Sequence, residues 1–208
     1  MTEKTVDYFY TLVSPWTYLG HAPFVEMGRR HGVRIVHKPC DLGAVFAVSG
    51  GLHLSKRPLQ RQNYRWYELQ RWRDLRGVPL NLKPKFFPAD ATLAGKMVAV
   101  AQAQGLDVDR LAGAFLKAVW VEDRNIADIA TVQAVATENG MDGAALLAAG
   151  QAEAAAELFD ANTEEAKRRE VFGAPFYVYR DEPFWGQDRL DLLERAMSGK
   201  VEPYRLPA

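Results

Sequence analysis

Ser14 and Thr17 flank Pro15-Trp16, directly after the alternating run Val6-Asp7-Tyr8-Phe9-Tyr10 and directly before a helical pattern. A serine hydroxyl in that place has two uses. It accepts a hydrogen bond from the helix's unpaired first-turn N–H groups, as an N-cap ahead of Pro15. Alternatively it serves an anion, because those N–H groups and the positive end of the helix dipole favour negative charge. A cysteine at position 14 would be a low-pKa thiolate. A serine hydroxyl does not ionise at any working pH, so what remains to it is a hydrogen bond given to a thiolate that arrives from elsewhere.

Two further stretches carry polar chemistry. In Val171-Phe172-Gly173-Ala174-Pro175-Phe176-Tyr177-Val178, Pro175 opens a strong β run. It is either an ordinary trans proline at a strand start or a cis proline in a tight turn. In the second case the backbone groups of Ala174 turn outward, and an extended peptide can pair with them as an added strand. In Gly186-Gln187-Asp188-Arg189, Asp188 is either a plain N-cap or half of a zwitterion site. In that second role it takes an ammonium, while Gln187 and the free N–H groups take a carboxylate.

The elements that must hold these residues follow from the pattern. Residues 5–10 alternate as a strand, 15–31 carry Trp16, Leu19, Phe24 and Met27 on one helical face, and 33–37 alternate again. A β-α-β unit with parallel strands follows. Residues 38–62 read as loop, with Gly43, Gly50, Gly51 and Pro58. Residues 60–76 read as helix, then comes a Pro-rich interval, and Ala91 to about Ala156 is Ala-rich and helix-forming. A hairpin from Pro175 and a last helix over 190–197 close the chain. The order is α/β and thioredoxin-like: β-α-β and β-β-α halves (1–60 and 165–208) around an inserted all-helical domain (61–164).

Composition narrows the function classes. The chain has 208 residues, 48% hydrophobic and 25% charged, with a formal net charge of zero. Such a chain buries a core without metal or disulfide staples. Zero charge gives no electrostatic case for nucleic acid or an anionic membrane. The single cysteine, Cys40, excludes an internal disulfide and any dithiol chemistry. It reads as a small buried apolar residue. No apolar leader or membrane-length run appears, so a cytoplasmic location is the expectation.

Taken together, Ser14-Pro-x-Thr17, Asp41-Leu-Gly-Ala-Val-Phe46, Leu69-Gln-Arg-Trp72, Trp120-Val-Glu-Asp-Arg-Asn-Ile-Ala127, Phe172-Gly-Ala-Pro175 and Gly186-Gln-Asp-Arg189 resemble the 2-hydroxychromene-2-carboxylate isomerases. That family is DsbA-like and related to kappa-class glutathione transferases. The resemblance implies glutathione as cofactor, with Ser14 hydrogen-bonding its sulfur. It implies Ala174 and Pro175 as the cis-proline loop that pairs with the cysteinyl backbone, and Gln187 and Asp188 as holders of the γ-glutamyl end. The substrate class implied is an aromatic carboxylate, isomerised by reversible thiolate addition, and a homodimer is the expected assembly. Trp16, Trp66, Phe86 and Phe87 are candidates for the apolar wall, and Lys56, Arg61, Lys83 or Lys85 for the cation. Two positions depart from the family pattern: Gly51 stands for an Asn and Gln60 for a Lys, with His53, Lys56 or Arg61 nearby. The alternatives are a kappa-like glutathione transferase and a non-catalytic DsbA-like small-molecule binding protein.

Overall fold

A computed structural model describes residues 4–207. The described residues form a four-stranded sheet in the order β2-β1-β3-β4. Strands β1 (Thr5–Tyr10) and β2 (Arg34–Pro39) are parallel, joined through helix α1 (Pro15–His31). Strand β3 (Phe176–Tyr179) runs antiparallel to β1, and β4 (Glu182–Trp185) antiparallel to β3. Between β2 and β3 lie α2 (Leu42–Ser49), α3 (Leu59–Arg76), α4 (Thr92–Ala103), α5 (Val108–Trp120), α6 (Ile129–Glu138), α7 (Gly143–Gln151) and α8 (Glu153–Arg168), and α9 (Leu190–Met197) ends the fold. The expected thioredoxin-like halves and helical block are therefore present.

Strand alternation divides the apolar side chains between the two faces of the sheet. Val6, Tyr8 and Tyr10 of β1 join Tyr177 and Tyr179 of β3, together with Leu19 and Phe24 of α1. Phe9, Phe176 and Val178 point the other way, onto Cys40, Val45 and Ala166. All four residues of β3 are buried, as an inner strand covered on both faces requires. The first core is continuous with the helical block, since it also holds Met97, Phe115, Trp120 and Leu146.

The segment 38–62 differs from the loop expected for it. It contains α2 and a short 3-10 turn over Leu54–Lys56. Asp41 accepts from the N–H groups of Gly43 and Ala44 at 2.8 and 3.2 Å, which starts α2 despite the early glycine. Gly50 closes the helix in the left-handed region. No helix among the described residues is long and apolar enough to cross a membrane.

Candidate active site

Ser14 caps α1. Its backbone is extended, with φ −79° and ψ 122°, and its Oγ accepts from the Thr17 N–H at 3.2 Å. Pro15 contributes no N–H to this first turn. The cap uses one lone pair of the oxygen and leaves the Ser14 O–H free to donate. Ser14 is 8% exposed and lines a cavity of about 990 Å³.

Gly173 and Ala174 stand on the wall of the same cavity. The Ala174-Pro175 peptide bond is cis, as is Phe87-Pro88. Among the described residues, neither backbone group of Ala174 has a hydrogen-bond partner. The Pro175 carbonyl accepts from the Gly186 N–H at 2.9 Å, which ties this loop to the 3-10 turn Gln187–Arg189.

Gln187 and Asp188 are therefore next to the proline loop, but they are not on the cavity wall. Gln187 is 2% exposed, and its Oε1 accepts from the Arg76 guanidinium at 3.1 Å. A Cβ on Gly20 would lie 2.6 Å from the Gln187 Cβ, so a glycine in α1 is what lets the turn pack this closely. The Asp188 carboxylate pairs with Arg189 at 2.6 Å in a solvent-reaching position, where such pairs are weak and exchangeable.

Of the expected wall aromatics, Trp16 and Phe87 line the cavity, while Trp66 and Phe86 do not. Of the expected cations, Lys56 and Arg61 line it, and Lys83 and Lys85 do not. The latter two lie instead over the rings of Trp66 and Phe86. Gly51 and His53 are on the wall. A Cβ on Gly51 would sit 2.1 Å from Phe46 Cδ1, so the Phe46 ring occupies the space that an Asn side chain here would need.

Sequence reasoning did not single out Arg57 or Arg65, and both line the cavity. Arg57 donates through Nε to the Leu52 carbonyl at 2.9 Å. Burial, and then the neighbouring Arg61 charge, lower its pKa. Arg65 is 7% exposed and packs against two rings, with Cζ 5.3 Å from the centre of Trp66 and 5.5 Å from that of Phe87. The spacing carried a signal: Arg65 precedes the fully buried Leu69 by four residues, which puts it on the buried stripe of α3. Cys40 also borders the cavity, but it is 3% exposed and its thiol donates to the Tyr10 carbonyl. Burial and the adjacent Asp41 charge push its pKa up to about 12. Among the described residues, no group of three or more His, Cys, Asp or Glu is placed to hold a metal.

Residues 5–198 match the DSBA-like thioredoxin domain family. The chain is 32% identical to 2-hydroxychromene-2-carboxylate isomerase from Pseudomonas putida over 195 residues, covering 92% of this chain and 93% of that one. It is 28% identical to the isomerase of the same name from Sphingobium xenophagum, covering 92% and 96%. Among solved structures, a 2-hydroxychromene-2-carboxylate isomerase aligns with TM-score 0.77 at 28% identity, covering 94% of this chain and 95% of the other.

Proposed function

This chain belongs to the DSBA-like thioredoxin domain family, within it to the 2-hydroxychromene-2-carboxylate isomerases, and is an isomerase; from that premise we propose that it uses glutathione to isomerise 2-hydroxychromene-2-carboxylate or a similar aromatic acid. When bound, glutathione supplies a thiolate able to add to a conjugated double bond and leave again.

The residues present fit such a group. Ser14 gives its O–H to the sulfur and, with the start of α1, favours the thiolate over the thiol. The free N–H and C=O of Ala174, beside Pro175, pair with an extended cysteinyl backbone as an added strand. Asp188 takes the ammonium of the γ-glutamyl end by exchanging its solvent-reaching partner Arg189. Gln187, fixed by Arg76, positions the turn that presents Asp188. Trp16 and Phe87 supply flat apolar wall for an aromatic substrate.

The single observation that carries this proposal is the Ser14 hydroxyl, free to donate, on the cavity wall at a helix start and sharing that wall with Ala174. Titration of glutathione into the protein near neutral pH, followed by thiolate absorbance, tests it. A saturable signal that falls at least about tenfold in Ser14→Ala is the expected result, since a charge-assisted hydrogen bond contributes on the order of 1.5–3 kcal/mol. Turnover without thiol consumption then separates isomerase from transferase. A folded wild-type protein that gives no thiolate signal removes glutathione from the mechanism.

A further inference from the structure

Six buried side-chain polar atoms lack a hydrogen-bond partner among the described residues: Tyr8 Oη, Thr17 Oγ1, His21 Nδ1, Arg65 Nη2, Trp120 Nε1 and Tyr177 Oη. Arg65 stands apart from the others. It alone carries a full charge, and it alone lines the cavity. A guanidinium is rarely buried without a partner, because the desolvated charge is costly. Its stacking on Trp66 and Phe87 offsets part of that cost and leaves the planar donors unmet.

Among the described residues, no acid neutralises it. The two carboxylates on the cavity wall, Asp41 and Asp90, are exposed and already engaged with backbone N–H groups of α2 and of Thr92. Against them stand Lys56, Arg57, Arg61 and Arg65, none of which has a salt bridge among the described residues. The wall is therefore cationic in a chain with no net charge. Burial, and then the Arg57 charge, push the Arg65 pKa down to about 10, which still leaves it protonated at neutral pH. An acid that enters the cavity restores what the fold leaves out.

We propose that Arg65 is the specificity-determining residue of this site, a buried guanidinium that takes the carboxylate of the aromatic substrate in two-pronged fashion beside the ring of Phe87. The identity of that acid rests on the isomerase assignment above; the need for an anion rests on the orphaned, buried charge. Glutathione also brings carboxylates, and Arg61 suits one of them better. It lies one turn earlier on the same face of α3, exposed at the rim, where a solvent-reaching cofactor end would lie. Arg65 is the deeper, drier partner, and a planar fork matches a carboxylate in a way a lysine does not.

The test uses trans-2-hydroxycinnamate and its methyl ester as probes, with binding followed by tryptophan quenching, alongside the glutathione thiolate titration. The wild-type protein is expected to bind the acid at least about tenfold tighter than the ester. Arg65→Met should remove most of that preference, Arg65→Lys should keep part of it, and glutathione binding should be unchanged in both. Loss of glutathione affinity with the acid preference intact assigns Arg65 to the cofactor and overturns the proposal. Equal binding of acid and ester by the wild type overturns it without any variant, so a Met variant that does not fold is no obstacle. A lost acid preference in a protein that never binds glutathione upholds Arg65 and removes only the thiol chemistry.

Discussion

At the scale of single residues, the glycine at position 51 has a packing reason. Gly51 lacks a positive φ, so an alanine there would ordinarily stabilise by about 0.4–1 kcal/mol through the unfolded chain. The Phe46 ring reverses that sign, because its Cδ1 would lie 2.1 Å from the new Cβ. Gly51→Ala should therefore destabilise by roughly 1–3 kcal/mol in urea unfolding, the usual range for overpacking. Phe46→Ala should make the same change nearly neutral or favourable, a coupling read by a double-mutant cycle. Additive effects would show that the ring yields freely. The wall residues also show where sequence reading stops. Ser14, Pro15 and Ala174 could be singled out in the sequence because caps and strand starts are local. Arg65 was harder to single out: α3 contains several arginines, and its spacing from Leu69 is a signal only once Leu69 is known to be buried.

Elements set the next level. Helix α3 works at both ends: Arg61 and Arg65 near its start reach the cavity, and Arg76 at its end fixes Gln187. The loop expected over 38–62 became α2 because one side chain, Asp41, meets two N–H groups; Gly43 in the first turn hid that cap from a count of breakers. On the face of the sheet that carries α1, the elements α1, β2 and α5 meet through a polar cluster. Asp109 of α5 only accepts, so His37 Nε2 of β2 donates to it at 2.8 Å, and the Tyr10 hydroxyl meets His37 Nδ1 at 2.8 Å. His21 of α1 gives Nε2–H to the Asp109 carbonyl at 2.8 Å, and its buried Nδ1 has no partner. Protonation of Nδ1 would bury a charged N–H with nothing to receive it. Burial, and then the His37 charge, accordingly lower the His21 pKa from 6.5 to about 4. With the folded value below the unfolded one, stability is full above pH 6.5 and falls as pH drops toward 4. Between pH 7 and 4.5 the loss from this group is roughly 2–3 kcal/mol. Urea unfolding across that range should show a shallower dependence in His21→Gln, whose amide can keep the donor; identical slopes would place the pH sensitivity elsewhere.

For the whole molecule, the question is whether the helical block is a separate unit. The apolar core does not respect the expected boundaries: Val6, Tyr8 and Leu19 share it with Phe115, Trp120 and Leu146. Chains above about 150 residues commonly unfold through intermediates. Here the shared core predicts one transition, with near-UV and far-UV circular dichroism superimposing through a urea series. Two separated transitions would make residues 61–164 an independent domain. The order of strands and helices was readable from periodicity, since each element's pattern is local. The continuity of the core was not, because it depends on side chains far apart in the chain meeting across α1 and α5.

Cys40 carries one last consequence. Its thiol is shut inside, hydrogen-bonded to the Tyr10 carbonyl and held protonated far above neutral pH. For the glutathione use proposed above, a reactive resident thiolate would be a liability: it would attack glutathione disulfide, become a mixed disulfide and release one glutathione. With its single cysteine buried and protonated at the border of the cavity, the fold offers an incoming sulfur no resident thiolate to react with.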